Sequence, residues 1–297
     1  MKKLLIIIKF IKYGLLELNQ IFIFLINYLR GKKFFYTDVD RVGEFIMAFI
    51  GFDEFLKKEN NKSNHIIVYS DNSNEFKIAN KFILNEILAT FQQKNIRLIN
   101  SVFLIKFFKF INSKKNLSAK FDIKPTNEYY NFIKIKNLKI NNMIRSQLTN
   151  GELNKNFYFI DLEKFNNKHS NLVTNLLKSN NLKKKNYITT FTRDNEYLKS
   201  IYPKFDFSYH EYRNLGYEKL EQSINFIISR NLKAVRVGNI KKKINKSLFS
   251  DDHIDLNYSL NNEHIEMCMI SNSKFFLTDT SGIADIADIF NVPTAKV

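Results

Sequence analysis

The sequence predicts an α/β protein built on two successive parallel sheets, and three observations lead there. From Phe34 onward, short apolar runs alternate with segments of helical periodicity, the pattern of βαβ units. The final stretch, KFFLTDTSGIADIADIFNVPTAKV, reads as strand, sharp loop and helix. A length of 297 residues suits two domains of roughly 150 residues each.

The first element is a helix over residues 1–31. Leu4, Ile8, Ile11, Leu15, Leu18, Phe22, Leu25 and Leu29 recur in steps of four and three, drawing one apolar stripe. Lys9, Lys12, Glu17, Gln20 and Asn27 interrupt it, so no run reaches the about 18 apolar residues of a membrane span. Lys9 also breaks the apolar core that a signal peptide would need. Three placements stay open: in the bilayer interface, on the body of the protein, or in a coiled-coil seam. The flanking lysines favour the interface with an anionic membrane.

A first domain is expected over residues 32–180. Strands are predicted at 33–37, 65–69 and 96–99, with helices at 45–56 and 75–91 between them. Residues 113–142 are polar, rich in Lys and Asn, and read as an irregular loop. A closing strand is expected at 157–162 and a helix at 168–177. The Lys-rich run 180–186 reads as an interdomain linker.

The second domain is expected over residues 186–297. Its strands are predicted at 187–192, 234–237 and 275–277, with helices at 217–230 and 263–270. Ile283, Ile286, Ala287 and Phe290 mark the last helix, and Asn291-Val292-Pro293 ends it before another strand. Because Val297 stands only a few residues into that strand, a further C-terminal segment is expected.

Composition narrows the chemistry. The formal charge of +17 suits nucleic acid or an acidic membrane. Yet Lys, Asn, Ile and Phe are all abundant while Gly and Pro are scarce, so much of the charge is compositional background. No basic cluster interleaved with aromatics appears, which argues against a nucleic-acid partner. Only eight positions carry Arg, and Arg41, Arg193, Arg213 and Arg236 fall at strand ends or beside them, where ligands of α/β sheets sit. Their planar donor forks suit phosphate, with structural ion pairs as the alternative. The single Cys268 excludes an intrachain disulfide and fits a reducing compartment; its apolar neighbours mark it as core. Asp38-Val39-Asp40 spells a metal-binding D-x-D, but it follows the first strand, and the histidines show no ligand spacing, so no metal site is assigned.

In the terminal unit, Asp279, Thr280, Ser281 and Gly282 form the loop between strand and helix. Free N–H groups at a helix start favour an anion such as phosphate, with a plain structural turn as the alternative. This block, TDTSGIADIADIFNVP, resembles the donor-site element of two-domain, Rossmann-like glycosyltransferases of the GT-B type, and the heptosyltransferases show a similar block. HEYRNLGYEKLEQSINFIISRNLKAVRVGN, residues 210–239, looks like the pattern of a family of bacterial glycosyltransferases known mainly from sequence, as does Thr192-Arg193-Asp194. The resemblance covers residues 186–297.

One further element lies in the first half. Asp40-Arg41-Val42-Gly43-Glu44-Phe45 resembles the first loop of heptosyltransferases, where Gly-Asp carries the catalytic acid; the bacterial family has Gly-His there, so Gly-Glu departs from both. The resemblance makes Glu44 the candidate base, with Asp40 the other carboxylate in that loop and a capping or ion-pair role the alternative for each. It also implies a GT-B fold of two Rossmann-like domains, with Arg41, Gly43, Arg193, Tyr212, Arg213, Asn214, Arg236, Gly238, Asp279, Thr280, Ser281 and Gly282 as substrate-binding residues. The expected activity is transfer of a sugar from a nucleotide-activated donor to a surface-glycan or lipid-linked acceptor, without metal or cofactor and with inversion. The expected setting is cytoplasmic, peripheral on the inner membrane face. A nucleotide-sugar epimerase of the same architecture and a non-catalytic basic binding protein are the rival expectations.

Overall fold

The computed structural model describes residues 2–36, 39, 42–58, 65–70, 80–113, 123–125, 160–193, 199, 206, 208–238, 244–256, 263–279 and 281–297. The chain divides into two compact units, Met1–Asn154 and Lys155–Val297.

The first unit contains α1 (Lys2–Leu29), β1 (Lys33–Tyr36), α2 (Val42–Lys58), β2 (His65–Tyr69), α3 (Lys81–Gln93), β3 (Arg97–Asn100), α4 (Val102–Ser113) and β4 (Ile123–Pro125). Among the described residues its four strands are all parallel, in the order β3-β2-β1-β4. Alternation along β1 and β2 sends Phe34, Tyr36, Ile66 and Val68 to one face, where Phe24 of α1 and Leu104, Ile105 and Phe108 of α4 cover them. Phe35 and His65 point the other way, against Phe52 of α2, which in turn meets Phe91 of α3.

The second unit contains α5 (Leu162–Lys168), α6 (Ser170–Ser179), β5 (Tyr187–Phe191), 3-10 turns at Ser208–Arg213 and Tyr217–Leu220, α7 (Glu221–Ile228) and β6 (Lys233–Arg236). It continues with β7 (His253–Asp255), α8 (Glu263–Asn272), β8 (Phe276–Thr278), α9 (Ala284–Ile289) and β9 (Thr294–Lys296). Among the described residues its five strands are parallel in the order β7-β6-β5-β8-β9. One face packs Ile188, Ala234 and Leu277 under Tyr217, Leu220 and Ile224. On the other, the Tyr187 hydroxyl donates to the Met269 carbonyl of α8 (2.7 Å). Thr189 Oγ1 donates to Ser273 Oγ just beyond that helix (3.1 Å).

Three expectations need correction. The boundary lies near residue 154, not at 180–186, because α5 and α6 belong to the second unit. Phe165 meets Phe290 at 4.9 Å between ring centroids, and Asn272 Nδ2 donates to Asn166 Oδ1 (2.9 Å). The expected linker is a tight turn into β5, whose Lys185 ammonium bonds the Ser271 and Ser273 carbonyls (3.3 and 2.9 Å) and so caps the C-terminus of α8. Of the strand expected at 157–162, residues 157–159 lie outside the described residues, while Asp161 is the N-cap of α5, accepting from the N–H groups of Glu163 and Lys164.

The helix α1 packs on the body of the first unit, yet not through the stripe that its periodicity draws. Glu17 accepts from Ser101 Oγ (2.5 Å) and from the Val102 N–H (2.9 Å) at the start of α4. Asn27 is buried and accepts from Arg97 Nη1 (3.3 Å). Glu17 and Asn27, two of the residues that interrupt the stripe, therefore belong to the packing face, and Leu15, Leu18, Phe22, Leu25 and Leu29 are exposed. Among the described residues no helix is long and apolar enough to cross a membrane.

Candidate functional site

The sheet of the second unit has a topological switch point. From β5 the chain proceeds to β6 on one side, whereas β8 pairs on the other, and α7 and α8 cover opposite faces. In open parallel sheets the crevice beyond the carboxyl ends of such strands is where ligands bind. Here those ends carry Thr192 and Arg193 after β5, Gly238 after β6, and Asp279, Ser281 and Gly282 after β8.

One bond ties the two central loops together. The Arg193 backbone N–H donates to Asp279 Oδ2 at 2.6 Å, and Asp279 is only 2 % exposed. Asp279 thus holds the loop after β5 rather than facing solvent. Its own loop is further shaped by the Ser281 N–H, which donates back to the Asp279 carbonyl (2.9 Å), and by the Thr278 and Ser281 hydroxyls, 3.4 Å apart. Ser281 is half-buried and Gly282 exposed, while α9, which follows, spans six residues. Gly238 is buried with φ at 108°, a conformation that a side chain would strain.

Arg236 takes the structural ion-pair role that stood as the alternative to phosphate binding. It is 1 % exposed, and its guanidinium pairs with Asp255 of the adjacent strand (3.2 Å). It also lies over the Tyr217 ring, 4.6 Å from the centroid. In the sheet register Thr190, Arg236 and Asp255 are direct neighbours across three strands, so their side chains share one face. A buried cation is stable there because a buried carboxylate and an aromatic face answer it.

Tyr217 links this pair to the rest of the sheet. Its hydroxyl lies 2.5 Å from Thr190 Oγ1 and 2.7 Å from His253 Nε2. Burial pushes His253 down to about 4, with Asp255 opposing that shift, so the imidazole is neutral at pH 7 and Nε2 can accept a hydrogen bond from the phenol. Burial likewise pushes the Tyr217 hydroxyl above its usual range.

Other expected residues are placed less fully. Tyr212 is 85 % exposed in its 3-10 turn, and Asn214 is half-buried, with Oδ1 buried and unbonded among the described residues. For Arg213 the description covers the backbone of that turn, not the side chain. Gly43 is half-buried near the start of α2, and Glu44 lies in the same helix with its side chain outside the described residues. Asp40, Arg41, Thr280 and the D-x-D expected not to bind metal likewise lie outside, Val39 excepted. Among the described residues no group of three His, Cys, Asp or Glu side chains could hold a metal ion.

Sequence reasoning missed the Tyr217, His253 and Asp255 network. Its signal was available: an arginine inside the apolar strand AVRVG needs an acid beside it, and His253-Ile254-Asp255 alternates as a strand does.

No family model matches this sequence, and neither does any curated protein. Among solved structures, the glycosyl transferase family 9 protein from Veillonella parvula is similar, with a TM-score of 0.51 and 11 % identity, over 89 % of this chain and 80 % of that one. E. coli ADP-heptose LPS heptosyltransferase II gives 0.46 at 9 % identity, covering 89 % and 84 % of the two chains. The E. coli heptosyltransferase WaaC, solved with ADP-2-deoxy-2-fluoro heptose, gives 0.44 at 8 %, covering 89 % and 88 %. The chain therefore has the α/β fold with two parallel sheets, GT-B in type, that the V. parvula glycosyltransferase also has.

Proposed function

We propose that this protein is a glycosyltransferase that moves a sugar from a nucleotide-activated donor to a surface-glycan or lipid-linked acceptor at the cytoplasmic face of the membrane. The donor diphosphate lies against the loops after β5 and β8. The observation that supports the reading is the bond from the Arg193 N–H to Asp279, which joins those loops at the switch point.

In this reading the acceptor hydroxyl oxygen attacks the anomeric carbon and gives its proton to Glu44. The bond from that carbon to the diphosphate oxygen breaks, and the nucleoside diphosphate departs with inversion. Arg193 and Arg213 offset its charge together with backbone N–H groups and the Thr280 and Ser281 hydroxyls, a task that fixed dipoles and cations perform without a metal. Tyr212 and Asn214 flank Arg213, and Gly238 leaves room for the ribose or base. Arg236 and Asp279 act from behind, as positioning residues. Gly43 and Glu44, at the start of α2, serve the acceptor side together with the preceding Arg41.

A thermal-shift panel of UDP, GDP, ADP and CMP derivatives tests this. One nucleotide class is expected to raise the midpoint of the wild type. Arg213→Ala erases that shift, whereas Glu44→Gln keeps it and abolishes turnover. Equal shifts in both variants would remove the assignment. Incubation with the donor alone separates the rival chemistry, since an epimerase makes a new sugar nucleotide and a transferase does not.

A further inference from the structure

Among the described residues, α1 and α4 present adjoining apolar faces to solvent. The two helices run side by side in the same direction: Glu17 bonds the start of α4, and one to two turns on Phe24 meets Phe108 at 5.5 Å. Leu15, Leu18, Phe22, Leu25 and Leu29 of α1 are exposed at helical spacing, as are Phe103 and Phe110 of α4. Scattered apolar residues are ordinary on a protein surface, but a stripe this long on adjoining helices marks an interaction face.

Charge selects the partner. Of these two helices α1 contributes Lys2, Lys3, Lys9 and Lys12, and Arg30 and Lys33 follow closely on it. Their single acid is Glu17, and it is bound inward at the start of α4. A second copy would set lysine against lysine, whereas an anionic lipid surface answers both the apolar stripe and the cations. At 28 residues α1 is about 42 Å long, ample for lying in the plane of the headgroups.

We propose that the outer face of α1 and α4 docks on an anionic lipid bilayer, with the Leu15 to Leu29 stripe sunk into the boundary between headgroups and acyl chains. This inference is independent of the reading of the donor loops, so either can fail alone.

The chain contains no tryptophan, which makes a single introduced indole an unmixed reporter. Phe22→Trp places it in the stripe, and Phe226→Trp, on the exposed side of α7 in the second unit, is the control. With vesicles of phosphatidylcholine and phosphatidylglycerol, the emission of the Phe22→Trp protein should shift to the blue and that of the Phe226→Trp protein should not. Binding should fall about tenfold or more on pure phosphatidylcholine, as expected when several cations face anionic lipid. Adding Leu18→Glu and Leu25→Glu to the Phe22→Trp protein should abolish the shift with an unchanged circular dichroism spectrum. Three results would overturn the proposal: no blue shift on anionic vesicles, an equal shift in the control, or light scattering that shows a dimer which Leu18→Glu dissociates.

Discussion

The two units bury different chemistry in sheets of the same parallel kind. In the first, the faces of β1 meet an aromatic core in which Phe24, Phe34, Phe35, Phe49, Phe52, Phe91 and Phe108 are all buried. In the second, the central strand β5 buries Thr189 and Thr190, and the row beside them holds Arg236 against Asp255. Aromatic packing dominates the first unit, where His65 of β2 is buried against the rings of Phe35 and Phe52. The second unit accepts the desolvation of an ion pair and a phenol–imidazole contact near its carboxyl ends, where side-chain direction matters for a ligand. A polar row specifies one arrangement of the strand ends, whereas packed phenyl rings tolerate several.

The contrast can be broken at its strongest point. Asp255→Ala leaves Arg236 buried without its carboxylate and should cost about 3–5 kcal/mol, read by urea unfolding as an early transition of the second unit. Replacing both partners, as Arg236→Met with Asp255→Leu, should recover most of that loss; if it does not, the pair has a role beyond mutual neutralisation. Phe108→Ala should cost about 3–4 kcal/mol through the cavity it leaves, and the loss should fall on the first unit.

Smaller changes sharpen the same contrast. Tyr217→Phe keeps the ring over Arg236 but removes the hydroxyl from Thr190 and His253, for about 1–3 kcal/mol. Acid should weaken the second unit through His253, while Glu266 and Asp285, whose carboxyls burial raises, act in the opposite sense. His253 binds a proton less readily when folded, near 4, than unfolded, near 6.5, so its contribution is complete above pH 6.5 and is lost as pH falls from there through 4. His253→Phe should flatten that part of the pH–stability profile measured by denaturation. The smallest effect is a matched pair: Asn95→Ala and Asn291→Ala, one in each unit, should each cost about 1 kcal/mol, because both residues end helices at positive φ.

That last pair explains part of what the sequence disclosed. In a chain with eight glycines, Asn95, Asn181, Asn231 and Asn291 take the left-handed positions that end helices, so the stops are legible once Asn is read for Gly. The Asn95, Asn181 and Asn291 ends close with the same pair of backbone bonds, such as Ile96 N–H to the Phe91 carbonyl and Asn95 N–H to the Gln92 carbonyl. β2, β5 and β8 are visible as apolar runs, and the strand–loop–helix after Lys274 as a change of period.

The missed elements have physical reasons. α4 is apolar on nearly every side, since one face meets the sheet and another is exposed, so no single stripe marks it. β4 and β7 have three residues each, too few for a period. In α1 the apolar stripe is real, but polar Glu17 and Asn27 face the protein, bonded to Ser101 and Arg97, and periodicity does not tell which side a neighbour occupies. The candidate site is legible as a set of loops. That Arg236 and Asp279 are held by protein partners is not, because the partners are 19 and 86 residues away in sequence.

In the proposed function a nucleoside diphosphate binds at the carboxyl ends of β5 and β8. Hydrogen exchange measured peptide by peptide, with and without the nucleotide that gives the largest thermal shift, tests it most directly. Protection should concentrate at residues 190–193, 237–238 and 278–284 and vanish in Arg213→Ala. Absence of a shift with every nucleotide, or protection that leaves those three segments unchanged, would contradict the account.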